Sequence, residues 1–137
     1  MRNKKRIMVC VTQQKSCKRL IEKGSLLKRH DHDEIHVVHV VKENWKYFGQ
    51  LKEADALEYL FDSAKDYGAS LSVIKAKDIE ETLKQYAQKN KINLIVMGES
   101  FEKTMQQNMI NRLQSQGLKD VTFEVVSMND PTNNKAG

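Results

Sequence analysis

The chain has 137 residues, and its hydrophobic fraction of 39% and mean hydropathy of −0.64 favour one water-exposed domain. No apolar run approaches the roughly 20 residues that a membrane-spanning helix needs, so we expect a cytoplasmic protein with no membrane partner. The net charge of +5 comes largely from the first six residues and the first predicted helix, without a basic–aromatic recognition motif. Nucleic-acid binding is therefore not expected.

Five apolar strand candidates alternate with four helical patterns along the chain. The strands are predicted over 6–11, 34–41, 71–74, 94–97 and 122–128. Apolar residues at helical spacing follow Ser16 and Asp78, and two further sets begin at Leu57 and Met105. We predict a single domain over 1–128 and a flexible tail over 129–137, which holds the only proline.

This alternation predicts an α/β fold, a three-layer, doubly wound, five-stranded parallel sheet with strand order 3-2-1-4-5. In that order the first and fourth strands are neighbours, and their carboxyl ends form the crevice where such sheets bind ligands. The residues that follow these two strands are Thr12, Gln13 and Gln14 on one side, and Gly98, Glu99 and Ser100 on the other. We expect them to form the two sides of a ligand site.

The sequence resembles the universal stress protein family. The resemblance rests on 7–12 (IMVCVT), 20–24 (LIEKG), 34–40 (EIHVVHV) and, best of all, 86–98 (YAQKNKINLIVMG), and it extends over about 5–128. Within the family, the pattern looks most similar to the stress-protein-like domains of potassium-sensing (Kdp-type) histidine kinases, which tend to carry Val-Cys-Val at the first strand and Gly-Glu-Ser at the fourth.

The resemblance implies a nucleotide site that is degenerate here. ATP-binding members carry an aspartate after the first strand, where this chain has Thr12, and a glycine loop of the form Gly-x-x-Gly, nine residues, Gly-Ser/Thr. Gly98 remains, but Gln107 and Asn108 stand where the Gly-Ser pair would be. Glu99 and Glu102 would repel a triphosphate, and Lys103 offsets only part of their charge. We expect ATP binding to be weak or absent, with AMP or another small anion as the remaining ligands.

The resemblance also leaves open a cyclic dinucleotide (c-di-AMP) sensor linked to potassium homeostasis. Some sensor-kinase domains bind such a ligand through Ser-x-Ser after the first strand and Phe-Thr-Ala-x-Tyr at the second. Here 12–14 read Thr-Gln-Gln and 35–39 read Ile-His-Val-Val-His, so the spacing agrees and the residue types differ. The candidate ligand contacts are Thr12, Gln13, Gln14, Val40, Gly98, Glu99, Ser100, Lys103 and Asn108.

Other candidate sites are better explained by structure. His36 and His39 should face opposite sides of a strand, so the four histidines do not predict a metal site. Cys10 and Cys17 are read as core thiols rather than a redox pair. Rings at Trp45, Tyr47 and Phe48 either cover a base or pack beneath a long connection.

Three functions compete at this stage. The first is a non-catalytic regulatory module that senses a small anionic nucleotide and acts through dimerisation or a regulatory protein partner. The second is an interaction protein that has lost its ligand. The third, a slow ATP hydrolase, is least favoured because no residue can be named to activate water, so no catalytic residue or certain cofactor is predicted. The last strand, 122–128, is the predicted homodimer edge.

Overall fold

The computed structural model describes residues 4–11, 17–42, 58, 60–100 and 102–127, without the side chains of residues 17, 41 and 42. Predictions for 12–14, for the rings at 45, 47 and 48, and for the 129–137 tail lie outside this part. The strands are β1 Arg6–Cys10, β2 Glu34–Lys42, β3 Ser70–Ala76, β4 Leu94–Gly98 and β5 Thr122–Val126. The helices are α1 Cys17–Leu27, α2 with helical residues 58 and 60–66, α3 Ile79–Lys89 and α4 Lys103–Ser115.

The five strands form one parallel sheet in the order β3-β2-β1-β4-β5, which confirms the predicted fold. β3 is longer than the predicted 71–74, because the alternating polar residues of an edge strand hide its length from an apolar pattern. β5 ends at Val126 rather than at 128 in the described part of the chain.

Two apolar cores cover the two faces of the sheet. Alternate strand residues such as Val9, Val37 and Val96 pack with α1 and α2, while Met8, Val38 and Ile95 pack with α3 and α4. Strands that are covered on both faces need apolar residues at every position, which is why β1 and β4 read as continuous apolar runs. In the described residues, the structure contains no helix with the length and apolar character of a membrane span.

Candidate functional site

The carboxyl ends of β1 and β4 lie side by side in the middle of the sheet. Cys10 pairs with Met97, so Val11 follows next to Gly98. β1 continues into a bond from the Val11 N–H to the Val38 carbonyl, 3.0 Å long, which ties its end to β2. The strand order reverses here, and helices leave β1 and β4 on opposite faces, which is the place where doubly wound sheets form a ligand crevice.

The loop after β4 is closed by hydrogen bonds within the protein. The Glu99 N–H donates to the Val126 carbonyl at 2.9 Å, and the Ser100 N–H donates to Oε1 of Gln106 at 3.1 Å. Nε2 of Gln106 donates to the Gly98 carbonyl at 2.9 Å, and Oγ of Ser100 accepts from the Glu102 N–H at 3.0 Å. In a phosphate-binding loop, backbone N–H groups donate to the anion. Here the three N–H groups of Glu99, Ser100 and Glu102 donate to acceptors of the protein instead.

Gln106, which holds this loop by hydrogen bonds, was missed by sequence reasoning. It lies in the first turn of α4, and its amide bonds both a carbonyl and an N–H of the preceding loop. Gln107, its neighbour, instead points to solvent and donates to Oδ1 of Asn111. A glutamine a few residues after the fourth strand could have indicated this contact, but Gln106 and Gln107 are adjacent and the sequence does not distinguish them.

Gly98 faces α1 across the end of β4. A Cβ built on it would lie 3.5 Å from Cδ1 of Leu20 and 4.0 Å from Nη2 of Arg19, which are ordinary contact distances. Its φ is not in the left-handed region, which Gly68 and Gly117 occupy. The backbone conformation therefore does not require a glycine at this position.

The other predicted contacts are dispersed around the loop. Lys103 pairs with Glu99, with 3.1 Å between Nζ and Oε2, so each offsets the charge of the other. Asn108 is exposed on α4. Val40 is partly buried and packs into the core on the α3 side, whereas Gly98 faces α1.

Two buried nitrogens near the crevice were also missed. In the part of the chain that the structure describes, Nη1 of Arg19 and Nε2 of His39 are the buried side-chain polar atoms without a hydrogen-bond partner. His39 is 3% exposed, and its Nδ1 lies 3.0 Å from the Val11 carbonyl. No sequence pattern marks these groups, because both lie among ordinary helix and strand residues.

The remaining histidines lie on the α3 face of the sheet or in an exposed turn. His36 bonds Glu34 at 2.9 Å and the Tyr86 hydroxyl at 3.0 Å on the α3 side, opposite His39, as the strand period predicted. The His30 and His32 rings stack 5.3 Å apart in an exposed turn. The described residues contain no group of three histidines, cysteines or acids placed to hold a metal ion.

Cys10 is a free, partly buried thiol. It packs against the core on the α3 side. Burial raises the pKa of its thiol to about 12, because desolvation disfavours the thiolate. The described part of the chain therefore supports the core-thiol interpretation for Cys10, whereas the side chain of its predicted redox partner, residue 17, lies outside it.

Comparison with models of protein families matches residues 4–126 to the universal stress protein family. The chain belongs to this family. A search among curated protein sequences finds no match.

Solved universal stress proteins share the fold at low sequence identity. The protein from Burkholderia pseudomallei is 16% identical with a TM-score of 0.57, covering 88% of this chain and 94% of its own. An Arabidopsis thaliana member with AMP bound is 17% identical with a TM-score of 0.56, covering 91% and 92%. An Archaeoglobus fulgidus member in complex with dAMP is 12% identical with a TM-score of 0.58, covering 91% and 98%.

Proposed function

We propose that this universal stress protein is a non-catalytic regulatory module that binds a small anionic nucleotide in the crevice between β1 and β4. The observation that carries the proposal is that the ends of β1 and β4, at Val11 and Gly98, lie side by side where the strand order reverses. The AMP and dAMP complexes of fold relatives support a mononucleotide as the ligand.

A monophosphate fits this crevice better than ATP does. The charge of Lys103 is already offset by Glu99, and the N–H groups of Glu99 and Ser100 are engaged in protein hydrogen bonds. Three phosphates carry more negative charge than this loop can neutralise, because few free donors remain. The loop would contact the ligand, and the predicted contacts at 12–14, which lie outside the described residues, would complete the site.

Titration calorimetry with AMP, ATP and a cyclic dinucleotide tests the proposal. We expect AMP to bind more tightly than ATP and Ser100→Asp to weaken AMP binding by about tenfold or more, because a carboxylate there repels the phosphate. An aspartate at position 100 could still accept the Glu102 N–H, so the loop should keep its form. Ser115→Asp, at the exposed far end of α4, is the matched control and should bind like the wild type.

Absence of heat with all three nucleotides would contradict the nucleotide proposal. Heat with the cyclic dinucleotide alone would favour the alternative sensor linked to potassium homeostasis and the sensor-kinase subgroup. The position of His39 supports that alternative in one respect: the ring lies at the second-strand position of the sensor-kinase motif and has a free Nε2.

Signalling would use the exposed edge of β5. The Thr122 N–H donates inward to Asn93, so the two-residue strand period directs the N–H groups of Phe123 and Val125 away from β4. Val125 is 37% exposed beside a groove of about 460 Å³ between β5 and α4. A second copy could pair with this edge and form a homodimer, and a regulatory protein could use the same surface.

Sedimentation equilibrium tests the dimer. Val125→Pro removes an outward N–H and should shift the protein from dimer to monomer, whereas Val125→Thr keeps the N–H and should remain dimeric. A wild-type protein that sediments as a monomer at all concentrations, or a dimeric V125P variant, would contradict pairing through β5.

The second candidate is a ligand-free interaction module. It is favoured by the internal hydrogen bonds of the loop, in which Gln106 and Val126 take the donors that a phosphate would need. Native mass spectrometry of the protein from cells distinguishes the two. A purely apo mass, together with the absence of heat in the titrations, favours this candidate, and a co-purifying nucleotide contradicts it.

A further inference from the structure

Arg19 presents an unpaired charge beside the crevice. It lies in the first turn of α1, its Nη2 is 4.0 Å from the Cβ position of Gly98, and its Nη1 is buried without an acceptor. In the described part of the chain it takes part in no ion pair. A buried guanidinium nitrogen without an acceptor is costly, so this arrangement is expected where a ligand supplies the acceptor.

His39 independently supplies a second buried polar atom without a partner on the same side of the sheet. The Val11 carbonyl can only accept, so Nδ1 of His39 carries a proton, and Nε2 is left as the polar atom without a partner. His39 shares the α1 face of β2 with Val37, and Gly98 shares the α1 face of β4 with Val96. β1 alone separates the two strands, so both unpartnered nitrogens lie within a few strand widths around the end of β1.

The loop after β4 does not compete with Arg19 for an anion. Its N–H groups at 99, 100 and 102 donate to Val126, Gln106 and Ser100, and its lysine, Lys103, is paired with Glu99. A guanidinium offers several N–H groups in a rigid planar fork that matches two oxygens of a phosphate or carboxylate. Arg19 is therefore the best-placed cation for an anion at the α1 side of the crevice.

We propose that Arg19 is the principal anion-binding residue of this protein, taking the phosphoryl group of the ligand in place of the N–H groups of the loop after β4. This inference rests on the proposed nucleotide function for the identity of the ligand, and on the unpartnered guanidinium for the identity of the residue. It predicts that the phosphate lies over Gly98 on the α1 face.

Calorimetric titration with AMP, adenosine and inorganic phosphate tests the role of Arg19. Arg19→Gln should weaken AMP binding by about 10- to 100-fold and leave adenosine binding unchanged, because adenosine lacks the phosphate. The AMP affinity of Arg19→Lys should lie between those of the wild type and R19Q, since lysine keeps the charge and loses the planar fork. Lys18→Gln removes the same charge from an exposed neighbour on the same helix and should bind AMP within about twofold of the wild type.

The outcomes separate this inference from the proposed function. Equal AMP affinity of the wild type and R19Q overturns the role of Arg19 and leaves nucleotide binding intact. Inorganic phosphate that binds the wild type and not R19Q, without any nucleotide binding, supports Arg19 and contradicts the nucleotide proposal. If neither AMP nor phosphate binds the wild type, both fail.

The melting temperature of R19Q serves as the folding check. It should not fall below that of the wild type, because a partly buried charge without a partner has been removed. If R19Q does not fold, the comparison of R19K with the wild type decides: R19K binding AMP as tightly as the wild type then overturns a role for the guanidinium fork.

Discussion

Gln106 shows how one side chain can determine the state of a loop. Its amide offers a donor to the Gly98 carbonyl and an acceptor to the Ser100 N–H, at 2.9 and 3.1 Å. Gln106 thereby joins the two ends of the 98–100 segment to the first turn of α4.

We predict that Gln106→Ala lowers the free energy of unfolding by about 1–2 kcal/mol, because two partly buried backbone groups lose their partner. Gln107→Ala, whose amide bonds Asn111 at the surface, should change it by less than about 0.5 kcal/mol. Urea unfolding measures both. Hydrogen exchange of the Ser100 N–H should accelerate in Q106A alone, and unchanged exchange would contradict a stabilising role of the Gln106 amide.

Asp33 is a second residue whose environment has a measurable consequence. Its buried carboxylate accepts N–H bonds from Lys5 at 2.9 Å, Arg29 at 3.0 Å and His30 at 3.1 Å. These bonds, led by that from Lys5, hold its pKa well below its usual range. A carboxylate with a lowered pKa in the folded state stabilises that state above the pKa of the unfolded chain.

We predict that the wild type loses free energy of unfolding as the pH falls below about 4, where unfolded aspartates take up protons. Asp33→Asn should be less stable at pH 7 and show a shallower loss on acidification, measured by urea unfolding from pH 7 to 2. Some loss remains in D33N, because Lys4 and His36 lower the pKa of Glu34 to about 2. Asp31→Asn, in the exposed part of the same turn, is the control, and a D33N profile parallel to that of the wild type would refute the assignment.

At the scale of elements, α1 approaches β1 through Gly24. A Cβ on this residue would lie only 2.7 Å from Cγ2 of Val9, a β-branched side chain with little freedom to move. Gly98 also faces α1, but a Cβ there would meet only ordinary contacts. Of these two glycines at the contact between α1 and the sheet, Gly24 leaves no room for a Cβ, whereas Gly98 does.

We predict that Gly24→Ala destabilises the protein by about 1–2 kcal/mol despite the better helix propensity of alanine, because the overlap moves α1 off the sheet. Gly98→Ala should be within about 0.5 kcal/mol of the wild type. In a double-mutant cycle with Val9→Ala, which makes room for the added methyl group, the two changes should cost less than their sum. Strict additivity would show that the methyl group of an alanine at position 24 does not clash with Val9.

At the scale of the whole molecule, Asn93 connects three distant parts of the sequence. Its side chain accepts from the Arg6 N–H at 2.9 Å and donates to the Lys4 carbonyl at 3.0 Å. Its backbone donates to the Arg6 carbonyl and accepts from the Thr122 N–H. The starts of β1, β4 and β5 are thereby joined at the amino end of the sheet, opposite the crevice.

We predict that Asn93→Ala lowers the free energy of unfolding by about 2–3 kcal/mol, because two long-range hydrogen bonds are lost and their backbone partners are left unpaired. Asn93→Asp keeps the acceptor for Arg6 and loses the donor to Lys4, so its loss should be smaller at neutral pH. AMP affinity should not change in either variant, since the crevice lies at the other end of the strands. Weaker AMP binding in a folded N93D protein would contradict this separation.

The sequence alone determined the order of elements, the parallel sheet and the edge that carries the candidate site. Continuous apolar runs such as 6–11 and 94–97 identify strands covered on both faces, and the alternation with helices then leaves few topologies. It could not choose between Gln106 and Gln107, or single out Arg19 among the basic residues of α1. Those assignments depend on the rotation of each helix about its axis and on which backbone groups lie within reach of a long side chain, and only the packed tertiary structure sets both.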